Sequence, residues 1–204
     1  MPERMGVFGG TFDPIHVGHL VTAVNVRHAL ALDCVLLVVA NDPWQKATLP
    51  VTPAAHRLAM VEAAVVGVEG IRASSIEIER GGVSYTADTL AELHRAHPGA
   101  ELYVILGSDA AASLATWERI DEVLAASRLV VVTRPGPDDA GPPPRWDHLV
   151  VEVPRLEVSS TDLRARVVDG RPLDWLVPEP VVHVIRQRGL YAEGQMSPSR
   201  SATP

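Results

Sequence analysis

The 204-residue sequence holds a single cysteine, Cys34. No intrachain disulfide can form, which fits a reducing compartment. Cys34 opens an apolar run and is expected to be a small buried hydrophobe, not a reactive thiol. Long hydrophobic runs are also missing. No stretch reaches membrane-spanning length and no signal peptide precedes the first strand, so a soluble, cytoplasmic protein is expected. Positive charge is in deficit, with a formal net charge of −7. That argues against a general affinity for nucleic acid or anionic membrane, while a few placed groups can still form a local anion pocket. Two familiar phosphate loops are absent: the opening segment is not G-x-G-x-x-G, and no G-K-[ST] follows. A dinucleotide oxidoreductase and a P-loop enzyme therefore lose their main support. There are no internal repeats. What remains is ordinary for a globular chain: 47% hydrophobic and 21% charged residues, with length enough for one domain and a sizeable core.

Strand-like and helix-like segments alternate along the chain. MGVFGG (5–10) reads as a buried strand ending at glycines. HLVTAVNVRHAL (19–30) reads as a helix, with Val17, Leu20, Val21 and Val24 at helical spacing. Cys34 to Ala40 is a continuous leucine and β-branched run, as for a strand covered on both faces. After a polar connection, Asn41 to Val51, Thr52-Pro53 offers a cap and a first-turn proline for a helix to about Val66. IRASSIEIER (71–80) is the next strand region. Ser84 or Thr86 can cap a helix holding Leu90 and Leu93, which ends near Pro98-Gly99. Leu102 to Gly107 is a buried strand, Trp117 to Ala126 a helix, Leu129 to Thr133 a strand. The proline-rich stretch Pro135 to Pro144 is a loop, and Leu149 to Val153 a short strand. Short helices start at Ser159 and at Pro178, the latter closed by Gly189. The polar tail after Ala192, residues 193–204, is expected to be disordered. This pattern predicts an α/β fold: a doubly wound, Rossmann-like parallel sheet with helices on both faces. Ligands of such sheets bind where strand order reverses, commonly between the first and fourth strands. GGTFDPIHVGH (9–19) follows the first and GSDAA (107–111) the fourth, so both turns should face one crevice.

The residues of the first turn suit phosphate. Gly9 and Gly10 let backbone N–H groups approach an anion, and Gly18 does so near a helix start that favours negative charge. His16 and His19 can donate to phosphate oxygens without a permanent full charge. A second reading takes Asp13, His16 and His19 as metal ligands, a weak signal with no further cluster to complete it. The late motif SSTDLR (159–164) resembles a capping box, with Asp162 three residues after Ser159. Capping does not explain Arg164, a cation in the first turns of a helix, whereas a bound polyphosphate would favour it there.

GGTFDPIHVGHL together with SSTDLR resembles the nucleotidyltransferase superfamily with its early (H/T)-x-G-H and late S-S-T-x-x-R/K motifs. Within it the chain resembles the bacterial-type nicotinate-nucleotide adenylyltransferases. SYTADTL (84–90), GSD (107–109) followed by Trp117, and RGLY (188–191) are similar to further segments of that family. The similarity spans about Met5 to Tyr191 and implies one nucleotidyltransferase domain over residues 1–191. One segment departs: where the family often has Pro-Pro-His-Lys, this chain has PWQK (43–46), with Gln45 in place of the histidine.

The resemblance implies adenylyl transfer from ATP to nicotinate mononucleotide, giving nicotinate adenine dinucleotide and pyrophosphate. It implies catalytic roles for His16, His19 and Arg164. ATP would be bound by Gly9, Gly10, Thr11, Phe12, Gly18, Gly107, Asp109, Ser159 and Ser160. Lys46, Thr86 and Trp117 would take the mononucleotide, and Mg²⁺ would accompany ATP without a dedicated protein cage. The partners implied are small molecules, with neither nucleic acid nor membrane; a homo-oligomer is allowed. Asp88 and Asp109 could equally be helix caps. Other members of the superfamily, a zinc hydrolase built on Asp13, His16 and His19, and a non-catalytic nucleotide-binding module stay open at this point.

Overall fold

A computed structural model describes residues 2–43, 50–133 and 146–192. Lys46 and Gln45, the loop Pro135 to Pro144 and the tail 193–204 lie outside the described residues.

Six strands form one sheet: β1 (Arg4–Gly10), β2 (Cys34–Val39), β3 (Ile71–Ser74), β4 (Glu101–Gly107), β5 (Arg128–Thr133) and β6 (His148–Glu152). Their order is β3-β2-β1-β4-β5-β6, and every pairing is parallel. The continuous apolar runs follow from cover on both faces, since all six residues of β2 are buried. Side chains alternate across the sheet. Val35, Leu37, Val39, Tyr103, Ile105 and Val130 pack with α1 (Val17–Ala29), α2 (Ala54–Val65), α7 (Ser160–Val168) and α8 (Glu179–Gln187). Met5, Val7, Cys34, Leu36, Val38, Leu102 and Val104 pack with α4 (Thr86–Ala96), α5 (Ser108–Ala112) and α6 (Ile120–Ala126). The doubly wound sheet is therefore as expected, and Cys34 is a buried hydrophobe at 1% exposure. Among the described residues, no helix is long and apolar enough to cross a membrane.

Strand order reverses between β1 and β4, where the alternation predicted. The pairing of β1 with β4 stops at Val7 and Val104, while β1 continues beside β2 as far as Gly10 and Val39. Beyond Val7, the last residues of β1 and β4 part, and the gap between them becomes the crevice.

Five local expectations are corrected. Strand β3 stops at Ser74, and Ile76–Arg80 is a short helix, α3. Its alternating Ile-Glu-Ile reads as strand, but Glu77 is buried and takes a 2.6 Å hydrogen bond from the Thr89 hydroxyl, a partner supplied by α4. The helical turn also brings Arg80 to Glu77. Pro53 is itself the N-cap residue of α2, and the Thr52 side chain does not cap it. Neither Ser84 nor Thr86 caps α4, whose N-cap is Tyr85; the Ser84 hydroxyl instead accepts from the Asn41 N–H at 2.8 Å. Trp117 is extended, and α6 begins only at Ile120, after Arg119 in the left-handed conformation. In α1 the buried face is Thr22, Ala23 and Val26, while Val24 is exposed.

Candidate active site

A cavity of about 220 Å³ opens at the switch point. Its floor is the parted ends of β1 and β4. Gly9, Gly10, Thr11 and Gly107 are in its lining, and so are Thr86 and Trp117. A side chain placed on Gly9 or Gly107 would meet no protein atom within 4 Å. Both glycines therefore present bare backbone to the open space. Gly10 has a different reason: a Cβ there would lie 2.8 Å from the Phe12 ring.

The turn from Thr11 to His16 is not a solvated loop. Phe12 and Ile15 are buried in the core, and Phe12 adopts φ 49°, left-handed without being glycine. Its ring meets His19 edge-on at 5.0 Å. His16 is buried and is the N-cap of α1. The His16 and His19 rings stack at 3.8 Å. Gly18 makes room for this pair, since a Cβ there would stand 3.1 Å from the His16 ring. The His16 backbone N–H donates to His19 Nδ1 at 3.2 Å. With Nδ1 accepting, the neutral His19 ring carries its proton on Nε2, which is then a donor.

Helix α7 docks on this turn. The Ser160 hydroxyl donates to the Pro14 carbonyl at 2.9 Å, and Arg164 Nη1 donates to the Asp13 carbonyl at 2.8 Å. Half of the expected capping box is present: Ser159 Oγ accepts from the Asp162 N–H at 3.2 Å. The Asp162 carboxylate turns instead to Arg166 and Arg171, and the Arg166 hydrogen bond holds it below the usual carboxylate range.

The structure thus brings the predicted residues into two adjoining groups. Gly9, Gly10, Thr11, Gly107, Thr86 and Trp117 line the cavity. His16, His19, Gly18, Ser159, Ser160 and Arg164 gather around the start of α1, next to it, and Phe8 bridges the two: it lines the cavity and packs near His19. Asp109 is exposed on α5 and is not among the lining residues. Asp88 is no cap; its carboxylate accepts from Arg119. Trp117 keeps its indole N–H buried with no acceptor among the described residues.

The metal reading of the first turn does not gather its ligands. Both Asp13 carboxylate oxygens are engaged elsewhere, Oδ1 by the Tyr191 hydroxyl at 2.6 Å and Oδ2 by the Thr52 N–H at 3.0 Å. Among the described residues, no group of three or more His, Cys, Asp or Glu could hold a metal ion. Burial, together with the nearby Asp13 charge, pushes the Tyr191 hydroxyl far above its usual range, so it stays a donor.

Sequence reasoning missed three groups beside the cavity: the buried Arg57, the Asp13–Tyr191 bond, and Glu77 with Thr89, both of which line it. Arg57 had a readable signal. It sits three, four and seven residues before Met60, Val61 and Ala64, on the apolar stripe of α2.

Residues 7–166 match the cytidylyltransferase-like family. A protein of Corynebacterium kroppenstedtii, named "Probable nicotinate-nucleotide adenylyltransferase", is 44% identical over 202 residues, covering 96% of this chain and 95% of its own. One of Saccharopolyspora erythraea with the same name is 44% identical, covering 93% of this chain and 90% of its own. The Plasmodium falciparum nicotinic acid mononucleotide adenylyltransferase, solved in complex with NaAD, shares the fold at TM-score 0.74 and 18% identity, covering 93% of this chain and 97% of its own. The chain belongs to the cytidylyltransferase-like family and, within it, to the nicotinate-nucleotide adenylyltransferases.

Proposed function

We propose that residues 1–191 act as one nucleotidyltransferase domain that transfers the adenylyl group of ATP to nicotinate mononucleotide, a step of NAD biosynthesis. The observation that carries this reading is the single cavity running from the glycine ends of β1 and β4 to Thr86 and Trp117, with the histidine pair beside it. A phosphate oxygen of the mononucleotide attacks the ATP α-phosphorus. The bond from that phosphorus to the α,β-bridging oxygen breaks, and pyrophosphate leaves. No protein nucleophile is needed, so the protein contributes positioning and charge stabilisation.

In this reading His16 and His19 contact the α- and β-phosphates, and the Nε2 proton of His19 is donated where negative charge grows. Backbone at Gly9, Gly10, Thr11 and Phe12 lines the same phosphates, with Gly18 at the helix start. Ser159, Ser160 and Arg164 clamp the outer phosphates; the hydrogen bond from Arg164 Nη1 to the Asp13 carbonyl aims the guanidinium. Gly107 and Asp109 hold the adenosine ribose. Lys46 draws in the mononucleotide phosphate. Thr86 and the backbone beyond Trp117 receive the nicotinate carboxylate, and the indole stacks on the pyridine ring. Mg²⁺ enters with ATP as part of the substrate and neutralises charge on its phosphates.

Pyrophosphate release from Mg-ATP tests this, with nicotinate mononucleotide, nicotinamide mononucleotide and phosphopantetheine offered in parallel. Release with nicotinate mononucleotide alone is expected. Release only with another acceptor overturns the roles of Thr86 and Trp117, and none with any acceptor overturns adenylyl transfer.

A further inference from the structure

Arg57 lies on the buried face of α2 at 1% exposure. Burial lowers its pKa and the nearby Asp13 charge opposes that. Among the described residues it forms no ion pair within 4 Å. Instead its guanidinium divides among three backbone carbonyls: Nε donates to Thr52 at 2.7 Å, Nη1 to Thr11 at 2.9 Å and Nη2 to Asn41 at 3.1 Å. A buried cation without a carboxylate partner is a poor way to stabilise a helix face, and an aliphatic residue of like volume would pack there at less cost. The planar fork does something an aliphatic chain cannot: it fixes three strands of backbone relative to one another.

Two of those backbones leave the paired ends of β1 and β2, where the Ala40 N–H donates to the Gly10 carbonyl at 3.0 Å, and Arg57 ties them together just beyond the last ladder bond. Thr11 is in the cavity lining itself, and Asn41 lies between Ala40 and Pro43, which also line the cavity. Asn41 is in turn bound to the segment before α4, through its N–H to Oγ of Ser84, a lining residue, and through its side-chain amide to the Gly82 carbonyl at 2.8 Å. Thr52 is gripped twice, its carbonyl by Arg57 and its N–H by Asp13. Arg57 is thus the one described side chain bonded to both the phosphate turn and the exit of β2, and through Asn41 it reaches the α3–α4 wall.

We propose that Arg57 is a positioning residue for adenylyl transfer: it sets the spacing between the Thr11 turn, where ATP binds, and the Asn41–Ser84 side, where the acceptor enters. This rests on the adenylyl-transfer reading. In-line attack is sensitive to that spacing, because a misplacement of about 1 Å costs on the order of 100-fold in rate.

The test is Arg57→Lys in the full chain, assayed well below its unfolding temperature. Lysine keeps the buried cation but cannot span three carbonyls. The expected result is kcat lowered by about 100-fold, a raised KM for nicotinate mononucleotide and an ATP KM close to that of the wild type. Faster amide exchange around Thr11, Asn41 and Thr52 should accompany it. A lower unfolding temperature with wild-type kcat, KM and exchange would overturn the proposal and leave Arg57 a core residue only. Should Arg57→Lys fail to fold, Asn41→Ala serves, since it removes the Gly82 bond at an accessible position and leaves the carbonyl that Arg57 uses. It should raise the acceptor KM without changing that for ATP; unchanged kinetics would overturn the proposal. If the wild-type protein releases no pyrophosphate with nicotinate mononucleotide, the adenylyl-transfer reading fails, and unchanged exchange in Arg57→Lys then overturns the positioning role by itself.

Discussion

On the β1–α1 side of the cavity, the turn from Thr11 to His19 is held by buried and half-buried groups: the buried Arg57 on the Thr11 carbonyl, the buried Tyr191 on Asp13, and the half-buried Ser160 and Arg164 on the Pro14 and Asp13 carbonyls. On the α4–α6 side, the frame around Thr86 and Trp117 is held largely by ion pairs nearer the surface. Asp88 meets Arg119 with both side chains over a third exposed, and Arg80 meets Glu92. The first side trades stability for geometry, since each buried polar group costs free energy unless its partners are in place. The second side is cheap to build and easy to alter. In the proposed reaction, the chemistry that tolerates no misplacement is assigned to the first, and recognition of the acceptor's ring to the second.

This contrast is broken or sharpened by four substitutions. His19→Ala should have the largest effect, a fall in kcat of about 100- to 1,000-fold with little change in unfolding temperature, read from steady-state kinetics and thermal melts; normal turnover would remove His19 from the chemistry. Tyr191→Phe leaves a buried Asp13 oxygen without its donor, and should cost about 1–3 kcal/mol of stability in denaturant unfolding. Its pH signature has a definite sign. The hydroxyl titrates higher in the folded protein than in the unfolded chain, so its contribution is complete below the ordinary tyrosine pKa of about 10 and is lost as pH rises above it. Wild-type stability should decline in that alkaline range, and Tyr191→Phe should show a shallower decline. Trp117→Ala should raise the KM for nicotinate mononucleotide about tenfold, as for loss of one stacked ring, and leave that for ATP unchanged. Asp88→Ala should do least: the pair is exposed, so unfolding temperature should hardly move, and the small difference should vanish in high salt.

The strands were legible because a sheet covered on both faces leaves continuous apolar runs, as in Cys34–Val39 and Leu102–Leu106. The switch point followed from topology alone, and glycines at the ends of β1 and β4 marked the crevice. The elements that misread were those decided by a distant partner. Ile76–Arg80 has a strand's alternation and becomes helix because Thr89 and Arg80 satisfy a buried Glu77. Thr52 and Ser84 have the chemistry of caps, but the Thr52 backbone is held by Asp13 and Arg57, and the Ser84 hydroxyl accepts from the Asn41 N–H. In the turn the motif marked His16 and His19, yet Asp13 read as turn or ligand. Its structural task depends on Tyr191, 178 residues away, which no local pattern reveals.

That last separation bears on how the molecule is made. The turn at 9–19 leaves the ribosome before the groups that lock it, Ser160, Arg164 and Tyr191. Bonds that close such long loops form late, after the loop-closure entropy has been overcome by the sheet and its helices. A nascent or partly folded chain therefore has its histidines but not their alignment, and the ability to act on nucleotide arrives together with the finished fold.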